Sequence, residues 1–199
     1  MSMNRQRGAG LIEALVAILI LSIGLLGMVG MQTAALKYEQ TGWARSALAS
    51  NISSLAERIR ANANAQPGAY AFSRTYQAER ADIDSDGTYF TPAKDCASTA
   101  CSEAELAAYD LLIWRRDLNQ QMPGSVGMVA VSGTKGIDLR FQITVAWFDK
   151  ENLNGVNLLS PEICTAAMTG IQARNCCPGA LGTAQNLAGV RCANLEMIP

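Results

Sequence analysis

Hydrophobic residues follow one another almost without interruption near the start of the chain. The 23 residues from Ala14 to Leu36 carry no charge. A helix rises about 1.5 Å per residue, so this run extends about 35 Å and is long enough to cross a bilayer. Arg5 and Arg7 precede it, and this basic flank predicts that the N-terminal end stays in the cytoplasm. Residues 9–36 are therefore predicted to form a transmembrane helix.

After this run, apolar residues recur every three or four positions. They are Ala44, Leu48, Ile52, Leu55 and Ile59. Such spacing is typical of a helix with one buried face. No proline occurs before Pro67, so a single helix is predicted from Ala9 to about Arg60. Residues 37–62 would be its amphipathic half, and residues 63–199 would form a globular domain.

Residues 63–101 lack a clear period and are predicted to form a long connecting region. Within it, Asp82, Asp84 and Asp86 alternate with other residues and resemble the first half of a calcium loop. An EF-hand needs a bidentate Glu at its twelfth position, where this chain has Ala93. A polar turn is the favoured interpretation, and the three aspartates would be the ligands if calcium were bound.

A second helix is predicted to begin at Ser102, which has capping-box spacing with Glu105. It runs to about Gln121, where Pro123 and Gly124 end it. Its buried face would carry Leu111, Trp114 and Leu118.

Two strands are predicted next, at 126–131 and 137–147, with a turn at 132–136. In the second strand the apolar positions alternate with polar ones. The apolar positions are Ile137, Leu139, Phe141, Ile143, Val145 and Trp147. This alternation indicates a half-buried antiparallel strand in a hairpin, covered on its apolar face by the long helix. The fold class is thus predicted to be α+β.

Composition narrows the possible functions. The formal net charge is −1 and there is no histidine. The near-neutral balance gives no basic footprint for nucleic acid, and the lack of histidine removes the commonest general base and metal ligand. We expect no enzyme, no cofactor and no metal, although a site built from carboxylates alone stays formally open.

All six cysteines lie after residue 95. They are Cys96, Cys101, Cys164, Cys176, Cys177 and Cys192. An even number after an apolar N-terminal segment indicates disulfides formed in an oxidising compartment. Cys96 and Cys101 are close in sequence and are paired first. For the other four, two pairings stay open: 164 with 176 and 177 with 192, or 164 with 177 and 176 with 192.

The residues around Glu13 resemble a known family. Gly8, the segment Ala9-Gly-Leu-Ile-Glu13 and the apolar run after it are similar to the signal of type IV pilins and pseudopilins. The resemblance implies the pilin fold, with a long N-terminal helix packed on a small antiparallel sheet and a disulfide-bearing C-terminal region. It also implies that residues 1–8 are a leader, cut between Gly8 and Ala9 by a prepilin peptidase, and that Ala9 is then N-methylated.

In that setting, Glu13 has a physical role. Cleavage creates an α-amino cation at Ala9, and the Glu13 carboxylate of one subunit can pair with the terminal amine of its neighbour. An unpaired charge in a low-dielectric environment is costly, and a paired charge is much less so. The pair would favour docking and fix the register between apolar helices.

The first 60 or so residues most resemble the PilV-like minor pilins. The resemblance implies a subunit near the tip of a type IV pilus that primes assembly and supports twitching motility and adhesion. The implied partners are other minor pilins, the major pilin and possibly a tip adhesin. The implied location is the inner membrane of a Gram-negative bacterium, with a periplasmic domain, and then the pilus. The alternative is a minor pseudopilin of a type II secretion system.

Overall fold

The computed structural model describes residues 9–150 and 152–199. The chain divides into two units, Met1–Ser46 and Ala47–Pro199. One helix, α1, extends over Ala9–Ala61, which confirms the predicted single long helix. The amide of Asn62 still bonds to the carbonyl of Arg58, and a short 3-10 turn at Pro67–Tyr70 follows. The helix thus ends close to the predicted Arg60 and before the first proline, Pro67.

In its described residues, the second unit contains three further α-helices and five strands. The helices are α2 (Tyr76–Ser85), α3 (Glu103–Gln121) and α4 (Gly170–Asn175). The strands are β1 (Val126–Ser132), β2 (Arg140–Phe148), β3 (Leu153–Asn154), β4 (Asn157–Leu158) and β5 (Val190–Met197). The long apolar helix, the small antiparallel sheet and the C-terminal disulfides confirm the predicted α+β, pilin-like fold.

Helix α3 begins with the predicted capping box. The Ser102 hydroxyl accepts a bond from the amide of Glu105, and the Glu105 carboxylate accepts one from the amide of Ser102. Two N–H groups that the helix itself leaves without partners are therefore satisfied. Leu111, Trp114 and Leu118 are buried, as predicted.

Strands β1 and β2 form the predicted antiparallel hairpin, with Val129 opposite Ile143. The hairpin turn is longer than predicted, because β2 begins at Arg140. Ile137 lies in this turn and is 84% exposed, so its placement on the buried face was wrong. The turn closes tightly at Gly133, whose φ is +77° and where a Cβ would lie 2.2 Å from the carbonyl oxygen of Asp138.

The third strand, β5, was not predicted. It pairs antiparallel with β2 and places Ala193 opposite Val145, giving the strand order β1-β2-β5. The central strand β2 is therefore paired on both sides, by β1 and β5. At the outer edge of β1, the amide and carbonyl of Phe72 exchange bonds with those of Val129.

Both faces of the sheet are covered, and the prediction of a half-buried strand was wrong on this point. One face carries Phe141, Ile143 and Val145, which pack with Leu55 of α1 and Trp114 of α3. The opposite face has a smaller core from the C-terminal region. That core contains Tyr76, Val126, Met128, Ala146, Cys177, Leu181, Leu187, Val190 and Cys192.

The prediction of a long connecting region at 63–101 was also wrong in part. It contains the 3-10 turn and helix α2, which the Thr75 hydroxyl caps by accepting a bond from the amide of Ala78. Tyr76, in the first turn of α2, joins the smaller core. This helix is short and mostly polar, so its sequence shows little periodicity.

Candidate functional site

The predicted site residues near the start of the chain lie on α1. Gly8 and the rest of residues 1–8 lie outside the described residues. Ala9 is the first residue of α1 as described, and Glu13 follows one turn later. Residues four apart lie on the same side of a helix. The backbone of Ala9 and residue Glu13 therefore lie on the same side of α1, one turn apart.

The surface around Glu13 is apolar and fully exposed. The helix from Gly10 to Leu36 has a mean hydropathy of 2.6 and none of it is buried, and by length and composition it can cross a membrane. Glu13 is its only charged residue. The Ser22 hydroxyl donates to the carbonyl of Ile18 at 2.7 Å, so its polar group is satisfied within the helix. Such a surface requires lipid or neighbouring apolar helices.

The last turns of α1 are fixed to α3 by polar contacts. The indole N–H of Trp114 donates to the carbonyl oxygen of Asn51 at 3.0 Å. Nδ2 of Asn51 donates to Oε1 of Gln121, also at 3.0 Å. Two turns further along, Nη1 of Arg58 lies 2.9 Å from Oδ1 of Asp110. These contacts were not predicted, because no local sequence pattern links residues of α1 with residues of α3.

Asp110 also organises the end of α1. The hydroxyl of Tyr70 donates to Oδ2 of Asp110 at 2.9 Å, and Asn62 donates to the Tyr70 oxygen at 3.1 Å. Burial is the main reason why the pKa of Tyr70 is raised, and Asp110 raises it further. The phenol therefore stays protonated and keeps donating to the buried carboxylate.

A second buried carboxylate, Glu79 of α2, is only 1% exposed. Arg115 of α3 binds its Oε1 through Nε at 3.0 Å and through Nη2. The Tyr89 hydroxyl donates to Oε2 at 2.7 Å, and the guanidinium of Arg115 stacks 3.8 Å from the centre of the Phe72 ring. Burial first, and the bond to Glu79 second, raise the pKa of Tyr89. A paired and hydrogen-bonded carboxylate of this kind fixes α2 on α3.

The three candidate calcium ligands do not converge on a common point. Asp82 and Asp84 belong to α2, and Asp86 caps the end of that helix. Asp82 pairs with Arg74, and Asp84 pairs with Arg80. Oδ1 of Asp86 accepts the amide and hydroxyl of Thr88, which lowers the pKa of Asp86. The polar turn predicted here is the end of a helix, and each carboxylate has its own local partner.

The structure contains disulfides between Cys96 and Cys101, Cys164 and Cys176, and Cys177 and Cys192. The adjacent Cys176 and Cys177 thus bond to different cysteines. Together they connect the segment around Cys164, their own segment and strand β5, which contains Cys192. Asn194 of β5 lies beside them, and its Nδ2 donates to the carbonyl oxygens of Cys176 at 2.8 Å and Ala173 at 2.9 Å. Its Oδ1 accepts the Thr144 hydroxyl at 2.7 Å. The side-chain amide of Asn194 therefore links the sheet to the segment that carries Cys176 and Cys177.

A groove of about 640 Å³ lies between the end of α1, the β1–β2 turn and the C-terminal residues. Its apolar lining includes Ile59, Leu139 and Phe141. Asp138 is the one carboxylate among the described lining residues, and its Oδ1 already accepts the amide of Thr134 at 2.8 Å. General acid–base chemistry of the two-carboxylate kind needs a second acid nearby, which this lining does not supply.

Comparisons with known proteins give one result. The family model of the prokaryotic N-terminal methylation motif matches residues 3–29. No curated protein and no solved structure matches the chain. The match includes Glu13 and most of the exposed apolar helix. It implies processing by a prepilin peptidase and assembly with other pilins, and it fits a membrane-anchored structural protein. The chain carries the N-terminal methylation motif that is characteristic of the type IV pilin and pseudopilin family.

Proposed function

We propose that this chain is a minor pilin of a type IV pilus, of the PilV-like kind, which joins other minor pilins near the tip and primes filament assembly. Twitching motility and adhesion would depend on it, through the major pilin and possibly a tip adhesin. The observation that carries the proposal is the methylation motif at residues 3–29, followed by an exposed apolar helix whose only charge is Glu13.

The site residues have specific roles in this proposal. The leader, residues 1–8, is removed between Gly8 and Ala9, and Ala9 is N-methylated. Residues 9–36 hold the protein in the inner membrane as the transmembrane half of α1. Residues 37–62 are its amphipathic half, and residues 63–199 lie in the periplasm until the subunit enters the pilus on the cell surface.

Glu13 provides the energetic reason for ordered assembly. The α-amino group of a neighbouring subunit is the cation that a cut at Gly8 creates. When two helices pack together away from water, the pair compensates two charges that would each be costly alone. If the two helices were offset by one helical turn along their axes, the carboxylate and the amine would be about 5 Å further apart. The pair therefore selects one axial register.

Intact mass of the protein extracted from membranes tests the processing step. We expect loss of the first eight residues and gain of one methyl group. Gly8→Ala should block this processing, and mature-mass protein from that variant would contradict the assigned cut.

A second experiment tests assembly. Glu13→Val should leave expression and leader removal intact while the amount of subunit in sheared filaments falls. The matched control is Gln32→Val, a polar residue replaced on the same helix away from the first turn. Normal incorporation of Glu13→Val would contradict the charge pair.

Cell phenotype separates the two systems that use such subunits. A deletion strain should lose twitching while it continues to release exoproteins. The reverse result would instead assign the chain to the minor pseudopilins of a type II secretion system.

A further inference from the structure

Two aromatic side chains stand just beyond the apolar part of α1. Tyr38 is 80% exposed and Trp43 is 56% exposed. In sequence, Lys37 precedes the pair, Glu39 lies between its members and Arg45 follows it. Tyrosine and tryptophan have an apolar body and a polar tip, and they are enriched where the hydrocarbon core of a membrane meets its headgroups. The apolar run is thus followed directly by a segment, residues 37–45, in which aromatic and charged residues are mixed.

The spacing of the pair fits one headgroup layer. Five residues of helix separate Tyr38 and Trp43 by about 7.5 Å along the axis. A bilayer is about 40–45 Å thick including headgroups and about 30 Å without them, which leaves about 5–8 Å on each side. When Tyr38 lies at the outer edge of the hydrocarbon, Trp43 lies about 7.5 Å above it, and both positions fall within the outer headgroup layer.

The apolar span is longer than the hydrocarbon that it has to cross. Gly10–Leu36 comprises 27 residues, or about 40 Å of helix. Holding all of it within about 30 Å would need a tilt of about 40°, twice the average tilt of membrane helices. One end must therefore emerge from the hydrocarbon. If the aromatic pair holds the outer end, the emerging end is the one that carries Glu13.

Glu13 then lies beyond the inner edge of the hydrocarbon. It is about 38 Å below Tyr38 along the helix, and an average tilt of about 20° shortens this depth to about 35 Å. Both depths exceed the hydrocarbon thickness.

We propose that Tyr38 and Trp43 form an interfacial anchor that binds the outer lipid headgroup layer and holds Glu13 in the inner headgroup layer until the subunit leaves the bilayer. The inference rests on membrane insertion of α1 in the proposed function. It gives Glu13 two environments: water and headgroups in the membrane-held subunit, and a neighbouring amine in the filament. The carboxylate then needs a protein cation only when the helix is withdrawn from lipid.

Thiol reactivity measures this depth, because a cysteine reacts with maleimide only where water can reach it and deprotonate it. The native cysteines are disulfide-bonded, so single cysteines can be added to the full chain in phospholipid vesicles. Suitable positions are Ile12→Cys beside Glu13, Leu25→Cys in the middle of the span, and Ser46→Cys outside it. A membrane-permeant maleimide should label Ile12→Cys within about threefold of the Ser46→Cys rate and label Leu25→Cys at least tenfold more slowly.

The possible results distinguish the anchor from membrane insertion itself. If Ile12→Cys is as slow as Leu25→Cys, the proposed depth is wrong and insertion stands. If all three positions react equally fast, α1 does not cross the bilayer and the membrane part of the proposed function fails as well.

The aromatic pair is tested in the Ile12→Cys background. Tyr38→Ala with Trp43→Ala should slow labelling at position 12 at least threefold, because the released helix can draw its N-terminal end into the hydrocarbon. The matched control exchanges the rings, Tyr38→Trp with Trp43→Tyr, and should retain the original rate. Unchanged labelling in the double alanine variant would overturn the anchor.

Discussion

Two glutamates lie in apolar parts of this chain and differ in burial and in the partners of their carboxylates. Glu79 is 1% exposed, and its carboxylate receives Arg115 and Tyr89 from the same chain. Glu13 lies in an exposed apolar helix where no other residue from Gly10 to Leu36 is charged. The globular unit thus neutralises its buried charge internally. From Gly10 to Leu36 the N-terminal helix offers Glu13 no cation, and this difference is the physical basis of the assembly site proposed above.

The same difference holds for the apolar residues. Leu21 is 65% exposed and Leu55 is fully buried, although both lie on α1. Leu55 is stabilised by the packed core of its own chain. Leu21 gains nothing from the fold of the monomer, so its burial is left for lipid or for neighbouring subunits.

The largest effect should follow the loss of the Glu79 partner. Arg115→Met removes the cation that binds the buried carboxylate directly and leaves Arg74, whose Nη1 is 3.7 Å from Oε2 of Glu79; it should lower the free energy of unfolding by about 3–5 kcal/mol. The measurement is urea unfolding of the full chain in detergent, followed by tryptophan fluorescence. Adding Glu79→Leu to Arg115→Met should restore part of the loss, because the pair is then replaced by apolar groups. An equal or larger loss in the double variant would show that packing of the Arg115 side chain, and not charge pairing, is decisive.

The second-largest effect compares one substitution at two positions of the same helix. Leu55→Ala should cost about 2–5 kcal/mol, because it opens a cavity between α1, α3 and the sheet. Leu21→Ala should change the unfolding free energy of the globular unit by less than about 0.5 kcal/mol. Both are measured by the same urea titration. An equal loss of unfolding free energy in both variants would mean that residues before Ser46 contribute to the core, and that Leu21 and Leu55 do not differ as their exposure indicates.

The Glu79 site also shows where the sequence was insufficient. Helices α1 and α3 follow from an apolar stripe and a capping box, which are local signals. Helix α2 has few apolar residues, so the acid it buries resembled part of a polar linker. The partners of Glu79 come from positions 89 and 115, and no local pattern links them.

The sheet gives the same lesson. The alternation in β2 predicted one buried face, and Phe141, Ile143 and Val145 confirm it. Thr144 and Ala146 on the other face are also fully buried, because distant residues of the C-terminal region fold over them. Burial of a short or polar side chain by a remote segment leaves no signal in the strand itself. The N-terminal site was predictable in kind because its glycine, acid and apolar run are contiguous.

An intermediate effect is expected when one hydrogen bond to Glu79 is removed. Tyr89→Phe deletes the hydroxyl that donates to Oε2 and should cost about 1.5–3 kcal/mol, the range for bonds to charged groups. Tyr38→Phe, on the exposed part of α1, is the matched control and should stay within about 0.5 kcal/mol. Chemical unfolding at pH 7 compares them. Similar values for both variants would imply that the arginines, Arg115 and Arg74, compensate the carboxylate without help from the hydroxyl.

The smallest effect concerns a glutamate that water already solvates. Lys94 first, and the amide of Ser102 second, lower the pKa of Glu105 from 4.5 to about 2. Because the pKa is lower in the folded state, the contribution of Glu105 to stability is fully present above pH 4.5 and is lost as the pH falls toward 2. Glu105→Gln cannot be protonated in this range, so its melting temperature should fall less between pH 5 and pH 2 than that of the wild type. Glu103→Gln, two residues earlier on the same helical turn, is the control for the change in net charge. If the two variants have the same pH profile, the carboxylate of Glu105 contributes no more to stability than that of Glu103. The lowered pKa of Glu105 would then have no measurable effect on folding.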